Sequence, residues 1–219
     1  MHTRVGAAAL LAVCVLASPE AANASGPRWY GVAAWYNATT NIGSHVDMYV
    51  SQGSCVDWAS GGFIAQVLWQ GTDSNSGLND WVEEGQSYGF DGKNISTFYW
   101  ADNRPGIGYR EHEITDIRPS VGSTYDVEIY WYTTNWIITL NSSVEGDSTS
   151  NPLYGKALET GLESTSPNSS MPYASSFRLS YRTSGSGWVT GWGNGTGIIQ
   201  NSPAFAYWNL QNVNLNDGM

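Results

Sequence analysis

Beyond its first 24 residues, the sequence contains no convincing amphipathic helix, and this absence constrains the fold more than any other feature. Short runs rich in Trp, Tyr, Val, Ile and Thr recur instead, separated by clusters of Gly, Ser, Asn and Asp. These runs predict strands at 28–36, 45–51, 63–71, 79–85, 95–101, 109–114, 124–132, 135–141, 157–163, 175–182, 187–192 and 204–210. Strands this closely spaced indicate an antiparallel sandwich or barrel. Within them, residues 125–140 predict a hairpin, and the polar segment 142–155 predicts one long surface connection.

The stretch from Trp69 to Trp100 contains the most suggestive arrangement of side chains. It reads WQGTDSNSGLNDWVEEGQSYGFDGKNISTFYW and spans three predicted strands. Strand alternation puts Trp81, Glu83 and Gly85 on one face. A carboxylate between an aromatic ring and a glycine offers a stacking surface, an ionisable group and room for a ligand's backbone. Glu83 is therefore the leading candidate for a functional residue.

The first 24 residues have the pattern of a secretory signal peptide. A basic start precedes an apolar run at 5–17 and small residues at 22–24. The apolar run is too short to span a membrane, and no other stretch approaches the required length. The sequence therefore predicts a signal peptide at 1–24 and a single secreted β-sandwich domain at 25–219.

Charge and cysteine content exclude several classes of function. The chain has 19 acidic and 9 basic residues, with a formal net charge of -10. That balance argues against nucleic-acid binding and against anionic membranes. Cys14 leaves with the predicted signal peptide and Cys55 is then alone, so we expect no intrachain disulfide and a buried, apolar role for Cys55. We expect a monomer with no cofactor.

Several motifs, taken together, resemble the core pattern of the glutamic peptidases, the eqolisin enzymes and the related neprosin group. The motifs are Leu68-Trp69-Gln70-Gly71-Thr72-Asp73, Trp81-Val82-Glu83-Glu84-Gly85 and Phe98-Tyr99-Trp100. Glu83 stands where eqolisins have a catalytic glutamine, and it resembles the neprosin version, which has Glu there. The resemblance, which spans roughly residues 67–182, implies a concanavalin-like two-sheet antiparallel β-sandwich, a jelly roll.

The same resemblance implies a second catalytic glutamate in Leu158-Glu159-Thr160-Gly161-Leu162-Glu163. Glu163 falls at the position that resembles the catalytic one, so the implied dyad is Glu83 and Glu163. An alternative register would put Gln66 at the first catalytic position, but Gln66 lies too far ahead of the Tyr99-Trp100 strand. Glu159 shares a face with Glu163 and is predicted to support the site.

A pair of carboxylates can hydrolyse an amide without a metal or a covalent nucleophile. One must deprotonate water and the other must donate to the developing oxyanion. By resemblance, we assign the base to Glu163 and the polarising role to Glu83, with a polypeptide substrate and an acidic working range. Trp69, Trp81 and Trp100 are predicted to line the substrate site, although core packing is the usual fate of Trp in a sandwich.

Other constellations are weaker. Asp73, Asn75, Gly77 and Glu84 echo a calcium loop, but Leu78 replaces the glycine that such a loop requires. Arg110 and His112 should share a strand face as paired surface residues. His45 is isolated, and no histidine cluster with metal-binding spacing is present.

Two other functions remain open at this point. A sandwich rich in Trp and Tyr is also suited to a non-catalytic carbohydrate-binding module, with a glycan as partner. A structural role in an exported surface protein is the third interpretation. Facing carboxylates in a groove would favour the peptidase, and exposed coplanar aromatic rings would favour the glycan-binding module.

Overall fold

The computed structural model describes the backbone of residues 27–36, 41–72, 80–149, 155–192, 196–200, 205–209 and 212–216, and side chains up to residue 200. In this described part, no helix has the length and apolar character needed to cross a membrane. The described residues form two 3-10 turns, Trp58–Ser60 and Phe90–Gly92. They also form fifteen strands, in chain order: β1 Trp29–Tyr36, β2 Asn41–Tyr49, β3 Ile64–Gly71, β4 Trp81–Tyr88, β5 Ser96–Arg104, β6 Gly108–Ile114, β7 Thr124–Tyr132, β8 Asn135–Leu140, β9 Ser143–Ser148, β10 Ala157–Ser164, β11 Ser175–Thr183, β12 Trp188–Thr190, β13 Gly197–Gln200, β14 Phe205–Asn209 and β15 Asn212–Asn216.

The strands form two antiparallel sheets. The seven-stranded sheet has the order β13-β1-β10-β3-β4-β5-β6. The eight-stranded sheet has the order β14-β15-β11-β2-β7-β8-β9, and β12 pairs with β11 beside this path. Strand β10 therefore lies between β1 and β3, which brings together parts of the chain that are about ninety residues or more apart. The predicted all-β, two-sheet antiparallel sandwich is confirmed.

One face of each sheet packs against the other to form the main core. Val82 on β4 and Val127 on β7 belong to it, together with the fully buried rings of Phe98 and Trp136. Burying side chains of this size stabilises the fold by about 1.5–3 kcal/mol each. Cys55 joins the same cluster as a buried side chain, as the sequence predicted.

The seven-stranded sheet also has an apolar cluster on its other face, the one turned away from the eight-stranded sheet. Val32, Val67, Trp69, Trp81 and Tyr99 belong to this cluster and are almost completely buried. Because side chains alternate along each strand, these residues and the core residues come from the same strands. We call this face the outer face of the seven-stranded sheet, and the candidate site lies on it.

The prediction of one long surface connection at 142–155 is wrong for its first half. Strand β9 pairs with β8 after a two-residue turn at Asn141 and Ser142, whose φ angles are 51° and 66°. Two consecutive residues with positive φ are typical of the type I′ turn that closes a tight hairpin. Strand β9 is polar and lies at a sheet edge, so its sequence resembles that of a loop. The predicted hairpin of β7 and β8 is confirmed.

Candidate active site

Three glutamates lie in one row across the outer face of the seven-stranded sheet. Strand register pairs Glu159 on β10 with Trp69 on β3, and Trp69 with Glu83 on β4. The row continues through Ala101 on β5 to Glu111 on β6. Directly paired residues point their side chains to the same side of a sheet. Glu83 and Glu159 thus stand two strand spacings apart, about 10 Å between their Cα atoms, with the Trp69 side chain between them.

Glu83 is buried and is held by two hydrogen-bond donors. Its side chain accepts hydrogen bonds from the indole N–H of Trp69 and the hydroxyl of Tyr99. Only 4% of Glu83 is exposed. Burial, reinforced by the negative charge of Glu111, raises the pKa of Glu83 to about 8, against the opposing effect of the two donors. Glu83 is therefore protonated at neutral and acidic pH, and it can donate a hydrogen bond.

Glu159 has a similar environment on the other side of Trp69. The hydroxyl of Tyr36 donates to Oε1 of Glu159 at 2.6 Å, and only 8% of Glu159 is exposed. Burial raises the pKa of Glu159 to about 7, and the hydrogen bond from Tyr36 opposes this rise. Glu159 therefore loses its proton at a lower pH than Glu83. Between these two values Glu159 is a carboxylate and Glu83 is a carboxylic acid.

The third glutamate of the row is tied to a neighbouring tyrosine. The Tyr109 hydroxyl donates to Oε1 of Glu111, and burial raises the pKa of Glu111 despite this hydrogen bond. The ring of Tyr109 also packs against Trp81, with 5.6 Å between ring centroids. Glu111 and Tyr109 close the β6 side of the site.

Two glycines lie in the row of residues next to the glutamate row. In the neighbouring row, Val67 lies between Gly161 on β10 and Gly85 on β4. A Cβ at Gly85 would overlap the carbonyl oxygen of Gln66, and one at Gly161 would overlap that of Gly31. Strand glycines often mark a place where a ligand or another backbone approaches closely. Here the close backbone belongs to the neighbouring strand of the same sheet, β3 for Gly85 and β1 for Gly161.

The structure does not bring Glu163 to Glu83, which corrects the dyad predicted from the sequence. Glu163 is opposite Ala65 on β3, and Ala65 is opposite Ser87 on β4. Four residues along β10 add about 13 Å, so the Cα atoms of Glu83 and Glu163 are roughly 16 Å apart. Positions 159 and 163 share a face, and strand alternation alone therefore could not distinguish them. The register of β10 against β3 makes the distinction.

Glu163 has its own partners at the far end of the face. It forms an ion pair with Arg28 and accepts a hydrogen bond from the Tyr30 hydroxyl at 3.4 Å. The Arg28 guanidinium also lowers the pKa values of Glu83 and Glu111 by its charge. Arg28 thus places a positive charge close enough to act on Glu83 and Glu111.

The three tryptophans predicted to line the substrate site do not share one face. Trp69 lies in the glutamate row and Trp81 lies one row away on the same face. Trp100 points into the main core, where its ring stacks on His112 at 4.0 Å between centroids. The prediction for Trp100 is therefore wrong, and its neighbour Tyr99 is the residue of that strand that reaches the site.

Gln66 and Glu84, the other two candidates from the sequence that the structure describes, point away from the outer face. Gln66 points between the sheets, where its amide donates to the Ser175 carbonyl oxygen at 3.0 Å and its Oε1 accepts from Gln86 at 3.0 Å. It cannot join Glu83. Glu84 is fully buried on the inner face, and the other three positions of the calcium-like loop lie outside the described residues.

Arg110 bonds to Asp102, with 3.3 Å from Nε to Oδ1. Arg110 and His112 lie two residues apart on β6 and so share its face, as predicted. They do not pair with each other as expected: Arg110 bonds to Asp102, and His112 stacks on Trp100. Neither residue contributes to the glutamate row.

Sequence reasoning did not identify Arg28, Tyr36, Tyr99, Tyr109 and Glu111 as site residues. Strand alternation alone does not say on which face of the sheet Tyr36 and Tyr99 lie. Because β1, β5 and β10 are far apart in the sequence, the sequence does not show which of their side chains lie on the same face. Only the order of the strands in the sheet brings these hydroxyls to the two glutamates.

The overall fold is similar to that of scytalidoglutamic peptidase, solved with transition-state-analogue inhibitors. The TM-score is 0.65 at 12% sequence identity, over 89% of this chain and 100% of that chain. SCP-B, a member of the eqolisin family solved with the tripeptide Ala-Ile-His, gives a TM-score of 0.58 at 12% identity and the same coverage. No protein-family model matches the sequence, and no curated protein matches it. The chain has the concanavalin-like two-sheet fold of the glutamic peptidases.

Proposed function

We propose that this protein is a glutamic-type endopeptidase in which Glu83 and Glu159 activate one water molecule against a peptide bond. One observation carries the proposal: Glu83 and Glu159 stand in register on the outer face, two strands apart, with the Trp69 indole between them. The fold shared with glutamic peptidases agrees with this reaction but, at 12% identity, does not identify the catalytic pair.

The two pKa values divide the roles. Glu159 has the lower value, so it is the carboxylate that removes a proton from water. The water oxygen then attacks the peptide carbonyl carbon. Glu83 keeps its proton at higher pH and donates a hydrogen bond to the developing oxyanion. When the tetrahedral intermediate collapses, Glu159 gives the proton to the leaving amine, and the C–N bond breaks.

Neighbouring side chains hold the two carboxyl groups in place. Trp69 and Tyr99 donate to Glu83, and Tyr36 donates to Glu159, so neither side chain is free to rotate. Preorganised groups need little rearrangement as charge develops.

The test compares two glutamates of the same strand. We expect Glu159→Gln to lower kcat/KM on an unfolded protein substrate by about 10²–10⁴-fold, because it removes the base. Glu163→Gln should keep kcat/KM within about tenfold of the wild-type value, because Glu163 lies too far from Glu83 to take part in proton transfer. Thermal unfolding of each variant checks that it is folded.

The opposite result would contradict the proposal. If Glu163→Gln abolishes hydrolysis and folded Glu159→Gln does not, the dyad predicted from sequence stands in place of this one. If folded wild-type protein cleaves nothing between pH 3 and 9, the peptidase proposal fails, and glycan binding becomes the function to measure.

The glycan-binding alternative finds little support on this face. Trp69 and Trp81 are almost completely buried, so neither offers the exposed ring that sugar stacking needs. Among the described residues, the exposed aromatic rings are Tyr132 and Trp188 on the eight-stranded sheet and Tyr173 between β10 and β11. A glycan array with the wild-type protein would test this alternative directly.

Export is part of the proposal and rests on the sequence alone. Residues 1–24 have the pattern of a signal peptide but lie outside the described residues. Mass spectrometry of protein recovered from the medium of a secreting host should give Ser25 as the first residue. An intact leader on that protein would contradict the assignment.

A further inference from the structure

A second cluster of ionisable side chains lies on the far side of the molecule. It is on the eight-stranded sheet, on the face turned away from the seven-stranded sheet. Strand register places His45 on β2 opposite Glu128 on β7, and Asp47 opposite Asp126. Each of His45, Asp126 and Glu128 offers one ligand atom, and these three atoms lie within 4.8 Å of one another.

The hydrogen bond at the other ring nitrogen fixes the tautomer of His45. Nδ1 lies 3.2 Å from the backbone carbonyl oxygen of Arg178, which can only accept, so Nδ1 carries a proton. Arg178 interrupts the pairing of β11 with β2 and has a φ of 52°, a bulge that turns this carbonyl towards the ring. Metal-binding histidines are commonly oriented by such a bond.

The free nitrogen of His45 then faces only acceptors. Nε2 is 3.0 Å from Oδ2 of Asp126 and 3.5 Å from Oδ1 of Asp47. A neutral ring with its proton on Nδ1 would point a lone pair at these oxygens. The arrangement therefore calls for a positive charge between Nε2 and the carboxylates, either a second proton or a metal ion.

Two of the carboxylates have lone pairs to spare. Asp47 is already bound by the Arg178 guanidinium through both oxygens. Oδ1 of Asp126 is buried and accepts no hydrogen bond from any described residue. Glu128 accepts a long bond of 3.4 Å from the Thr139 hydroxyl, and Arg182 lies close enough to act on its charge.

We propose that His45, Asp126 and Glu128 bind one divalent transition-metal ion of the zinc type. One imidazole nitrogen and two carboxylate oxygens form a donor set that suits such an ion. Small side-chain rotations would bring the three ligand atoms to the distances of about 2.0–2.2 Å that zinc requires.

An open cleft of about 310 Å³ reaches the cluster at Glu128, and Tyr130, Tyr132, Arg182 and Trp188 line the rest of it. Three protein ligands and one open position describe a site that can also hold water or a small anion. The cluster is on the opposite sheet from Glu83 and Glu159. Its metal therefore takes no part in the proposed peptide hydrolysis, and the two proposals can fail independently.

The experiment uses untagged protein, because a polyhistidine tag would bind zinc itself. Metal-stripped wild type is dialysed to equilibrium against graded ZnCl₂ and, in parallel, CaCl₂, and bound metal is measured by elemental analysis. We expect one zinc ion per chain, and a rise of several degrees in Tm when zinc is in large excess over its Kd. Binding of calcium in preference to zinc would overturn the proposed class of ion.

Three variants locate the site. His45→Ala and Glu128→Gln should each weaken zinc binding by at least about tenfold, since each removes a ligand. Asp147→Asn is the matched control: Asp147 is an exposed carboxylate on β9 of the same sheet and should leave the affinity unchanged. The unfolding midpoint without metal checks the fold of each variant. The proposal is overturned if the wild type shows no saturable zinc binding. It is also overturned if His45→Ala and Glu128→Gln are folded and bind zinc as tightly as the wild type does.

Discussion

At the scale of single residues, the main property of the site is that burial keeps protons on its glutamates. Glu83 and Glu159 have pKa values of about 8 and about 7, where an exposed glutamate has 4.5. Desolvation is the largest cause in both cases. Trp69, Tyr99 and Tyr36 oppose it with hydrogen bonds, and so they set the size of the shift as well as the positions of the carboxyl groups.

These values predict the pH dependence of hydrolysis. The working form has Glu159 ionised and Glu83 protonated, so kcat/KM should rise as pH approaches about 7 and fall above about 8. This range lies above the acidic one expected from the sequence. Hydrolysis of an unfolded protein from pH 3 to 9 measures it. A maximum between pH 3 and 5 would mean that the acting carboxylate titrates in the ordinary range, which contradicts these roles.

At the scale of strands, alternation was predictable and register was not. The sequence correctly placed Trp81, Glu83 and Gly85 on one face because side chains alternate along a strand. It could not choose between Glu159 and Glu163, because both alternate to the same face and only the pairing of β10 with β3 separates them. The same limit hid the cluster of His45 with Glu128, which lie on neighbouring strands 83 residues apart in sequence.

The glycine at position 85 gives a prediction about the pairing of β3 and β4. Gly85→Ala would place a Cβ on the carbonyl oxygen of Gln66, which is backbone and cannot rotate away. We expect it to destabilise the protein by about 2–4 kcal/mol, as strain at a closely packed position does. Chemical denaturation measures the loss.

The matched control for this change is Gly197→Ala in the same sheet. A Cβ at Gly197 meets no atom within 4 Å among the described residues. The free energy of unfolding of this variant should therefore be within about 0.5 kcal/mol of the wild-type value. Equal stability of Gly85→Ala and Gly197→Ala would mean that β3 and β4 are not as close as the structure has them.

At the scale of the whole molecule, both faces of the seven-stranded sheet contain buried glutamate side chains. Glu83 and Glu159 lie on the outer face, and Glu84 lies on the inner face with both oxygens buried and without a hydrogen-bond partner among the described residues. Burial raises the pKa of Glu84 well above its usual value, and the charges of Glu145 and Asp126 add to this rise. The folded protein therefore holds protons that the unfolded chain would release.

This difference in proton binding makes the free energy of unfolding depend on pH. Between pH 4.5 and the raised pKa values, the folded state binds more protons than the unfolded state, so stability falls as pH rises. The stability that the neutral glutamates provide is fully present below about pH 4.5 and is lost progressively towards pH 8. For Glu83 and Glu159 together, the total change should be on the order of 5–10 kcal/mol.

Glu84→Gln isolates the inner-face part of this effect, because glutamine keeps the shape and has no proton to lose. Denaturant unfolding at pH 4.5, 6 and 7.5 should show a steep decline for wild type and a shallower one for Glu84→Gln, with the largest gain at pH 7.5. Identical slopes would mean that Glu84 is ionised or solvated in the folded state. Because Glu84 lies on the opposite face of β4 from Glu83, the variant should keep the pH profile of hydrolysis, so that stability and catalysis can be separated within one strand.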